Sequence, residues 1–384
     1  MTIFKKRIAI LTGTRADFGK LKSIMLSIQD HPSFDLEVFV TGMHLDTRYG
    51  YTVDEIYKSQ IKNIHEFNNF NNSPKMEIIL SETIKGFSKY IEEIKPELII
   101  VHGDRVEALA AAIVGSINNI FVAHFEGGEV SGTIDESIRH SVTKFSHLHF
   151  VTDEKAKKRL IQLGEVKDSI YVIGSPDIDL MDPRKLRPIE DIKKRYEINF
   201  EEYSIAMLHP VTSEIDQLES QVDDFCEALI ASELNYVVIY PNNDHGSEII
   251  LETYKKKLTS YKFRVFPSIR FEYFLAMLKD SDFIIGNSSS GIREAPYYNV
   301  PTIDIGTRQK GRVNLESVIN SDYHKSSILD SINLAMKIEL QESNYLTQFF
   351  GKGDSHKQFI KALEDNKLWE INSQKSFQDI NFNG

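Results

Sequence analysis

Three segments of this chain set acids, cations and glycines directly behind apolar runs. The first is Ala123-His-Phe-Glu-Gly-Gly-Glu-Val-Ser-Gly-Thr-Ile-Asp-Glu-Ser-Ile-Arg-His140, which follows the β-branched run Asn119–Val122. Its pattern predicts a strand that ends near Glu126, two glycines that let backbone approach a ligand, and a helix that carries Asp135. The second, Leu98-Ile-Ile-Val-His-Gly-Asp-Arg105, is a strand that ends in the charged pair Asp104 and Arg105. The third, Phe283-Ile-Ile-Gly-Asn-Ser-Ser-Ser-Gly-Ile-Arg-Glu294, offers hydroxyls and backbone N–H groups at a helix start, which suit an anion. Carboxylates at strand ends can move protons. Asp104, Glu126 and Asp135 are the acid–base candidates, and crowding would raise the pKa of at least one of them. The three strand ends together point to an enzyme that acts on a phosphorylated ligand.

Other turns add to this picture. In Thr12-Gly-Thr-Arg-Ala-Asp-Phe-Gly-Lys20, Arg15 opens a helix, a common way to hold phosphate; alternatively Arg15 and Asp17 pair and cap that helix. Ser288 and Ser289 suit a diphosphate, and Glu294 can accept from ribose hydroxyls; the plainer alternative is a serine N-cap with Glu294 in the capping turn. Thr307-Arg-Gln-Lys-Gly-Arg312 adds Arg308, Lys310 and Arg312 near the same sheet edge. His209 ends a strand and can reach a leaving phosphate, or be a satisfied buried histidine. The acids have plain alternatives too: Asp104 paired with Arg105, and Asp135 as an acid at a helix N-terminus. No G-x-G-x-x-G occurs, which argues against a dinucleotide cofactor. His124, Glu126 and His140 lack the helix spacing of a zinc protease, and no G-x-S-x-G elbow is present.

These residues need elements to position them. At 384 residues, with 41% apolar and 26% charged residues, the chain has room for two domains sharing a cleft. A net charge of −11 argues against a broad nucleic-acid face, so phosphate requires local cations. Cys226 is the single cysteine and reads as core. No signal peptide or bilayer-long apolar run is apparent, so the expected location is the cytoplasm, with no membrane partner.

Strands are expected at Arg7–Gly13, Leu36–Thr41, Leu98–His102, Ile120–His124, Leu148–Thr152 and Ile170–Gly174. In the second half they are expected at Ser204–Leu208, Tyr236–Tyr240, Arg264–Phe266, Phe283–Ile285 and Thr302–Ile305. Helical periodicity alternates with them, at Met76–Ile94, Val106–Ile117, Ile134–Lys144, Glu154–Leu163, Glu214–Ala231, Ser247–Leu258, Phe271–Lys279 and His356–Asn366 among others. The expected fold is α/β: two Rossmann-like, doubly wound parallel-sheet domains that face each other across a cleft. Their expected bounds are 1–174 and 189–354, with a proline-rich hinge at 175–188 and a C-terminal helix and tail at 355–384.

Several motifs occur together: Thr12–Gly19, Thr41-Gly-Met-His44, His102–Arg105, Glu126-Gly-Gly-Glu129, Asp135 through Ile138-Arg-His140, Gly286-Asn-Ser-Ser289 and Gly306-Thr-Arg-Gln309. With these the chain resembles, over nearly its whole length, the hydrolysing UDP-N-acetylglucosamine 2-epimerases of bacterial sialic-acid biosynthesis. It is also similar to the epimerase domain of the bifunctional animal epimerase/kinase. The resemblance implies a GT-B-like arrangement, UDP-sugar as substrate, a homodimer or homotetramer, and neither cofactor nor metal. By resemblance Arg15, Arg105, His209, Asn242, Ser288, Ser289, Glu294 and Arg308 match UDP-contacting positions. Asp104, Glu126, Asp135 and His209 match positions tied to catalysis, and His44 is a candidate for the sugar. UDP-N,N′-diacetylbacillosamine is an alternative substrate, and a GT-B glycosyltransferase is the alternative of another class.

Overall fold

The computed structural model describes residues 5–70, 75–131, 133–184, 186–242, 244–310, 315–338, 340 and 353–379. The chain divides into two compact units. One comprises Met1–Glu129, Asp135–Asp182 and Thr347–Gly384; the other comprises Val130–Ile134 and Pro183–Leu346.

In the first unit β1 (Lys6–Thr12), β2 (Phe34–Val40), β3 (Ile64–Glu66), β4 (Leu98–His102), β5 (Phe121–Phe125), β6 (Leu148–Val151) and β7 (Ile170–Val172) form a parallel sheet in the order 3-2-1-4-5-6-7. Its helices are α1 (Arg15–Asp30), α2 (Val53–Lys58), α3 (Met76–Ile94), α4 (Val106–Ile117), α5 (Ile134–Phe145) and α6 (Glu154–Gln162). Every residue of β4 is buried, as an unbroken apolar run in a sheet covered on both faces requires. Thr14 and Asp17 close a reciprocal capping box at the start of α1, each side chain accepting from the other's backbone N–H at 3.1 Å. The C-terminal helix Ser355–Glu364 returns to this unit. Its Phe359 ring packs 5.2 Å from Phe125 and 4.7 Å from Phe150, a burial worth roughly 1.5–3 kcal/mol.

The second unit repeats the plan. β8 (Ser204–Met207), β9 (Tyr236–Ile239), β10 (Phe263–Phe266), β11 (Ile284–Gly286), β12 (Thr302–Ile305) and β13 (Val318–Ser321) run parallel in the order 10-9-8-11-12-13. Its helices are α7 (Ile189–Arg195), α8 (Leu218–Ala231), α9 (Ser247–Lys257), α10 (Phe271–Asp280), α11 (Ser290–Arg293) and α12 (Lys325–Ala335). The doubly wound parallel sheets expected from the sequence are therefore present. The expected helix Glu214–Ala231 is shorter: α8 starts at Leu218, and Thr212–Gln217 is a 3-10 turn in which Glu214 leaves helical geometry. The Glu214 carboxylate is turned to Thr307 Oγ1 at 2.5 Å and Gln221 Nε2 at 3.2 Å. β3, β13, α2, α7 and α12 have no counterpart among the elements expected from sequence.

In each sheet the order reverses between two central neighbours, β1 and β4 in the first and β8 and β11 in the second. Crossovers leave such a pair in opposite directions, so a crevice opens beyond their carboxyl ends. The motifs that read as chemistry sit at these two places.

Candidate active site

At the first crevice β4 ends in His102, Gly103 and Asp104. Gly103 takes φ +70°, a conformation that favours glycine, and so turns Asp104 away from the sheet. The turn is held from below by His124, a fully buried residue of β5. Its Nε2 donates to the Gly103 carbonyl at 2.8 Å, which leaves Nδ1 to accept from the Thr143 hydroxyl of α5 at 3.1 Å. Burial holds the His124 pKa down at about 3, so the imidazole is a neutral strut. Next along β5, Glu126 is buried with φ +63°, a strained position for a residue with a Cβ, costing roughly 1–3 kcal/mol.

Arg139 gathers the acids. It lies one turn after Asp135 on α5, is 1% exposed, and pairs with the Asp104 carboxylate. Burial works against its charge, but Asp104, Glu129, Glu126 and Asp135 together outweigh that and raise its pKa. Asp104 pairs with this buried guanidinium, and the charges of Glu126 and Asp135 favour its protonated form as well. The mutual repulsion expected from the sequence is countered by cations, because Glu126 has two more beside it. His102 Nε2 lies 3.2 Å and Lys20 Nζ 3.4 Å from Glu126 Oε1. His102 Nδ1 is 3.4 Å from Asp17, and Lys20 is 3.5 Å from Asp177. Burial opposes charge on His102, yet Glu126 and Asp17 prevail and lift its pKa to about 9. At neutral pH this imidazole is a cation between two acids.

At the second crevice Gly286 takes φ +135°, and a Cβ there would lie 1.9 Å from the Met207 carbonyl oxygen. That close approach of β11 to β8 brings Asn287 against His209. Asn287 Oδ1 accepts from His209 N–H at 2.7 Å, and its Nδ2 donates to the His209 carbonyl at 2.9 Å. The Asn242 backbone N–H donates to His209 Nδ1 at 3.3 Å, so in the neutral ring the proton sits on Nε2. Ser288 and Ser289 follow, half-buried, with the Ser288 hydroxyl accepting from Ser290 N–H at 3.3 Å. α11 is one turn long, so it brings N–H groups and hydroxyls but little of the helix dipole expected from sequence. Glu294 closes it, 2% exposed. Arg308 Nη1 and Gln309 Nε2 donate to the Asn287 carbonyl at 3.3 and 2.8 Å, tying the 307–310 turn to the same strand end. Arg312 lies outside the described residues.

The sequence and the fold have counterparts among known proteins. The family model described as UDP-N-acetylglucosamine 2-epimerase matches residues 26–364. The chain belongs to the UDP-N-acetylglucosamine 2-epimerase family. It is 44% identical to "UDP-N-acetylglucosamine 2-epimerase" of Neisseria meningitidis serogroup B, over 98% of this chain and all of that protein. It is 34% identical to "UDP-N,N'-diacetylbacillosamine 2-epimerase (hydrolyzing)" of Legionella pneumophila, over 94% of this chain and 96% of the relative. In fold it matches the Methanocaldococcus jannaschii UDP-GlcNAc 2-epimerase crystallised with UDP-GlcNAc and UDP. The TM-score is 0.79 at 20% identity, covering 93% of this chain and 99% of that one.

Three residues of this family member stand apart from the sequence reading. Arg15 sits at the start of α1 and pairs with Glu55 of α2 at 2.6 Å, while Asp17 caps the helix, as the plainer alternative has it, and also faces His102. Arg105 N-caps α4, its Nε 3.9 Å from the buried Glu107 carboxylate. His44 is fully buried, with Nε2 3.0 Å from the Thr12 hydroxyl and Nδ1 2.7 Å from that of Thr52. Burial lowers its pKa to about 3. With both nitrogens within hydrogen-bond distance of hydroxyls, His44 braces the β1 turn. Sequence reasoning gave no role to Lys20, His102, Asp177 or Arg139. Arg139 alone carried a usable signal, its i+4 spacing from Asp135.

Proposed function

We propose that the chain is a hydrolysing 2-epimerase that converts UDP-N-acetylglucosamine to N-acetylmannosamine and UDP. The observation that carries the reading is the pairing of Asp104 with the buried Arg139, whose charge Glu126 and Asp135 also favour. The sugar C2–H is not acidified by a carbonyl. Its loss therefore requires the anomeric C1–O bond to break in the same process, with UDP departing. A carboxylate takes the C2 proton, and the electron pair forms C1=C2 of a 2-acetamidoglucal. A second acid then protonates C2 from the other face while water adds at C1. Two proton transfers on opposite faces account for several carboxylates in one place. Glu126, with His102 at 3.2 Å and Lys20 at 3.4 Å, has the surroundings of a carboxylate that takes a proton rather than gives one.

Departing UDP needs donors aimed at its diphosphate. His209 Nε2, the hydroxyls of Ser288 and Ser289, and Arg308 are our candidates in the second unit, with Asn242 and Glu294 for the rest of the nucleotide. Arg15 and Arg105 are candidates in the first. The same reading includes a homodimer or homotetramer in the cytoplasm and no need for NAD or a metal.

The 44% identical Neisseria relative favours the N-acetylglucosamine substrate. The Legionella relative supports a second reading, hydrolysis of UDP-N,N′-diacetylbacillosamine. Incubation of the protein with each UDP-sugar in D₂O, followed by NMR, separates them. We expect free N-acetylmannosamine with one deuterium at C2, plus UDP, with or without EDTA. A UDP-linked epimer instead of the free sugar would overturn the hydrolysing assignment. Product without deuterium would overturn the elimination scheme.

A further inference from the structure

α5 carries Asp135 and Arg139 at its first turns, so the placement of the carboxylate site depends on where this helix sits. Its far end runs into Ser146 and His147 without a glycine to close it. The chain's own tail closes it instead. Lys375 Nζ lies 2.8 Å from the Thr143 carbonyl, 3.1 Å from that of Lys144 and 2.6 Å from that of Ser146. It is also 2.5 Å from Oε2 of Glu165, whose side chain is wholly buried. Four acceptors thus surround an ammonium with three N–H bonds. Glu165 is held in turn by Lys144 at 2.8 Å and His149 at 3.1 Å.

The neighbouring tail residues are tied down as well. His147 Nε2 donates to the Ser373 carbonyl at 2.9 Å, and its Nδ1 accepts from Val122 N–H of β5 at 3.1 Å. Gln378 N–H donates to the Gly164 carbonyl at 3.1 Å, and the Phe377 ring lies against Gly164. Residues 373–378 therefore strap the end of α5 to the start of β5 and to the turn after α6. The strap leads to the site by two routes. One runs along α5 to Arg139 and Asp135. The other runs through Thr143, whose carbonyl meets Lys375 and whose hydroxyl holds His124, the strut beneath Gly103 and Asp104.

We propose that Lys375 is a positioning residue: its ammonium fixes the register of α5 and thereby the placement of Asp135, Arg139 and Asp104. The turnover part of this inference rests on the function proposed above; the structural part does not. Lys375→Met keeps the aliphatic stem and removes the charge, and Lys375→Arg restores it. Lys257→Met is the control, because Lys257 likewise joins carboxylates, Asp223 at 2.8 Å and Glu227 at 2.9 Å, but lies in the second unit.

Hydrogen exchange of the full-length protein is followed together with turnover of UDP-N-acetylglucosamine. In Lys375→Met the amides of α5 should exchange faster while those of α8 and α10 do not change. Turnover number should fall roughly 10- to 100-fold, the scale of a small misplacement of catalytic groups, with KM and UDP affinity within about twofold. Lys375→Arg and Lys257→Met should stay near the parent. Parental exchange in α5 of Lys375→Met overturns the proposal, as does an equal rise through both units. A parent protein that turns over no UDP-sugar removes the functional reading instead, and exchange in α5 then decides the strap by itself.

Discussion

His102→Gln tests the electrostatic core of the site. The side chain of His102 is 5% exposed, and the ring stands between Asp17 and Glu126. Its pKa is about 9 in the folded protein against an ordinary 6.5. A raised histidine pKa means that the folded state holds the proton more tightly than the unfolded chain. The resulting stability is complete below about pH 6.5 and is lost as pH rises through about 9. The interval corresponds to roughly 3 kcal/mol, lost at about 1.4 kcal/mol per pH unit. Glutamine keeps a donor of similar reach but cannot carry the charge. Chemical denaturation of parent and variant at pH 6, 7.5 and 9.5 gives the difference directly, since most other groups titrate alike in both. The parent should be more stable at pH 6 by up to ~3 kcal/mol, and the gap should nearly close by pH 9.5. Loss of the same proton should give kcat/KM of the parent an alkaline limb near pH 9 that the variant lacks. A gap that does not change between pH 6 and pH 9.5 would refute the reasoning, because it would mean that the imidazole carries no proton that matters to the fold.

Asp104→Asn, Glu126→Gln and Asp135→Asn should each lower turnover at least ~10²-fold with UDP affinity little changed, and near-normal rates in all three would remove them from proton transfer. Arg308→Ala and the double change Ser288→Ala, Ser289→Ala should weaken UDP about ten- to hundredfold by calorimetry, the worth of one or two charged or polar contacts. Gly286→Ala sets a Cβ 1.9 Å from the Met207 carbonyl, so it should separate Asn287 from His209 and lower both UDP affinity and the thermal midpoint. Parental values for both quantities would show that β11 can move aside.

The sheets were legible because their strands are buried on both faces and read as apolar runs such as Leu98–Val101. Val318–Ser321 was not legible, since a four-residue edge strand that ends in Asn and Ser gives no such run. Glu126 and Asp104 stood out as acids at strand ends, where the fold class opens its crevice. Lys20 did not, because a lysine inside a helix reads as a solvated cation until the buried Asp177 is brought to it from 157 residues away. Arg15 shows the same limit from the other side. Its place at the start of α1 was clear, but its pairing with Glu55 arises only when α2 packs nearby. Sequence exposed the residues that carry the proposed chemistry and hid most of the cations that compensate them.

The return of residues 347–384 to the first unit has a consequence for the newborn chain. A ribosome releases the second unit almost as one continuous stretch, Pro183–Leu346, which can close its sheet as soon as β13 and α12 emerge. The first unit begins earlier but finishes later. Its seven strands are synthesised by Val172, yet Phe125 and Phe150 lack their Phe359 neighbour until nearly two hundred more residues have been added. Through that interval the part of the sheet face around Phe125 and Phe150 lacks this cover while a whole second unit is made. Order of synthesis and order of completion are therefore opposite, and the unit with the carboxylates is the last to be sealed.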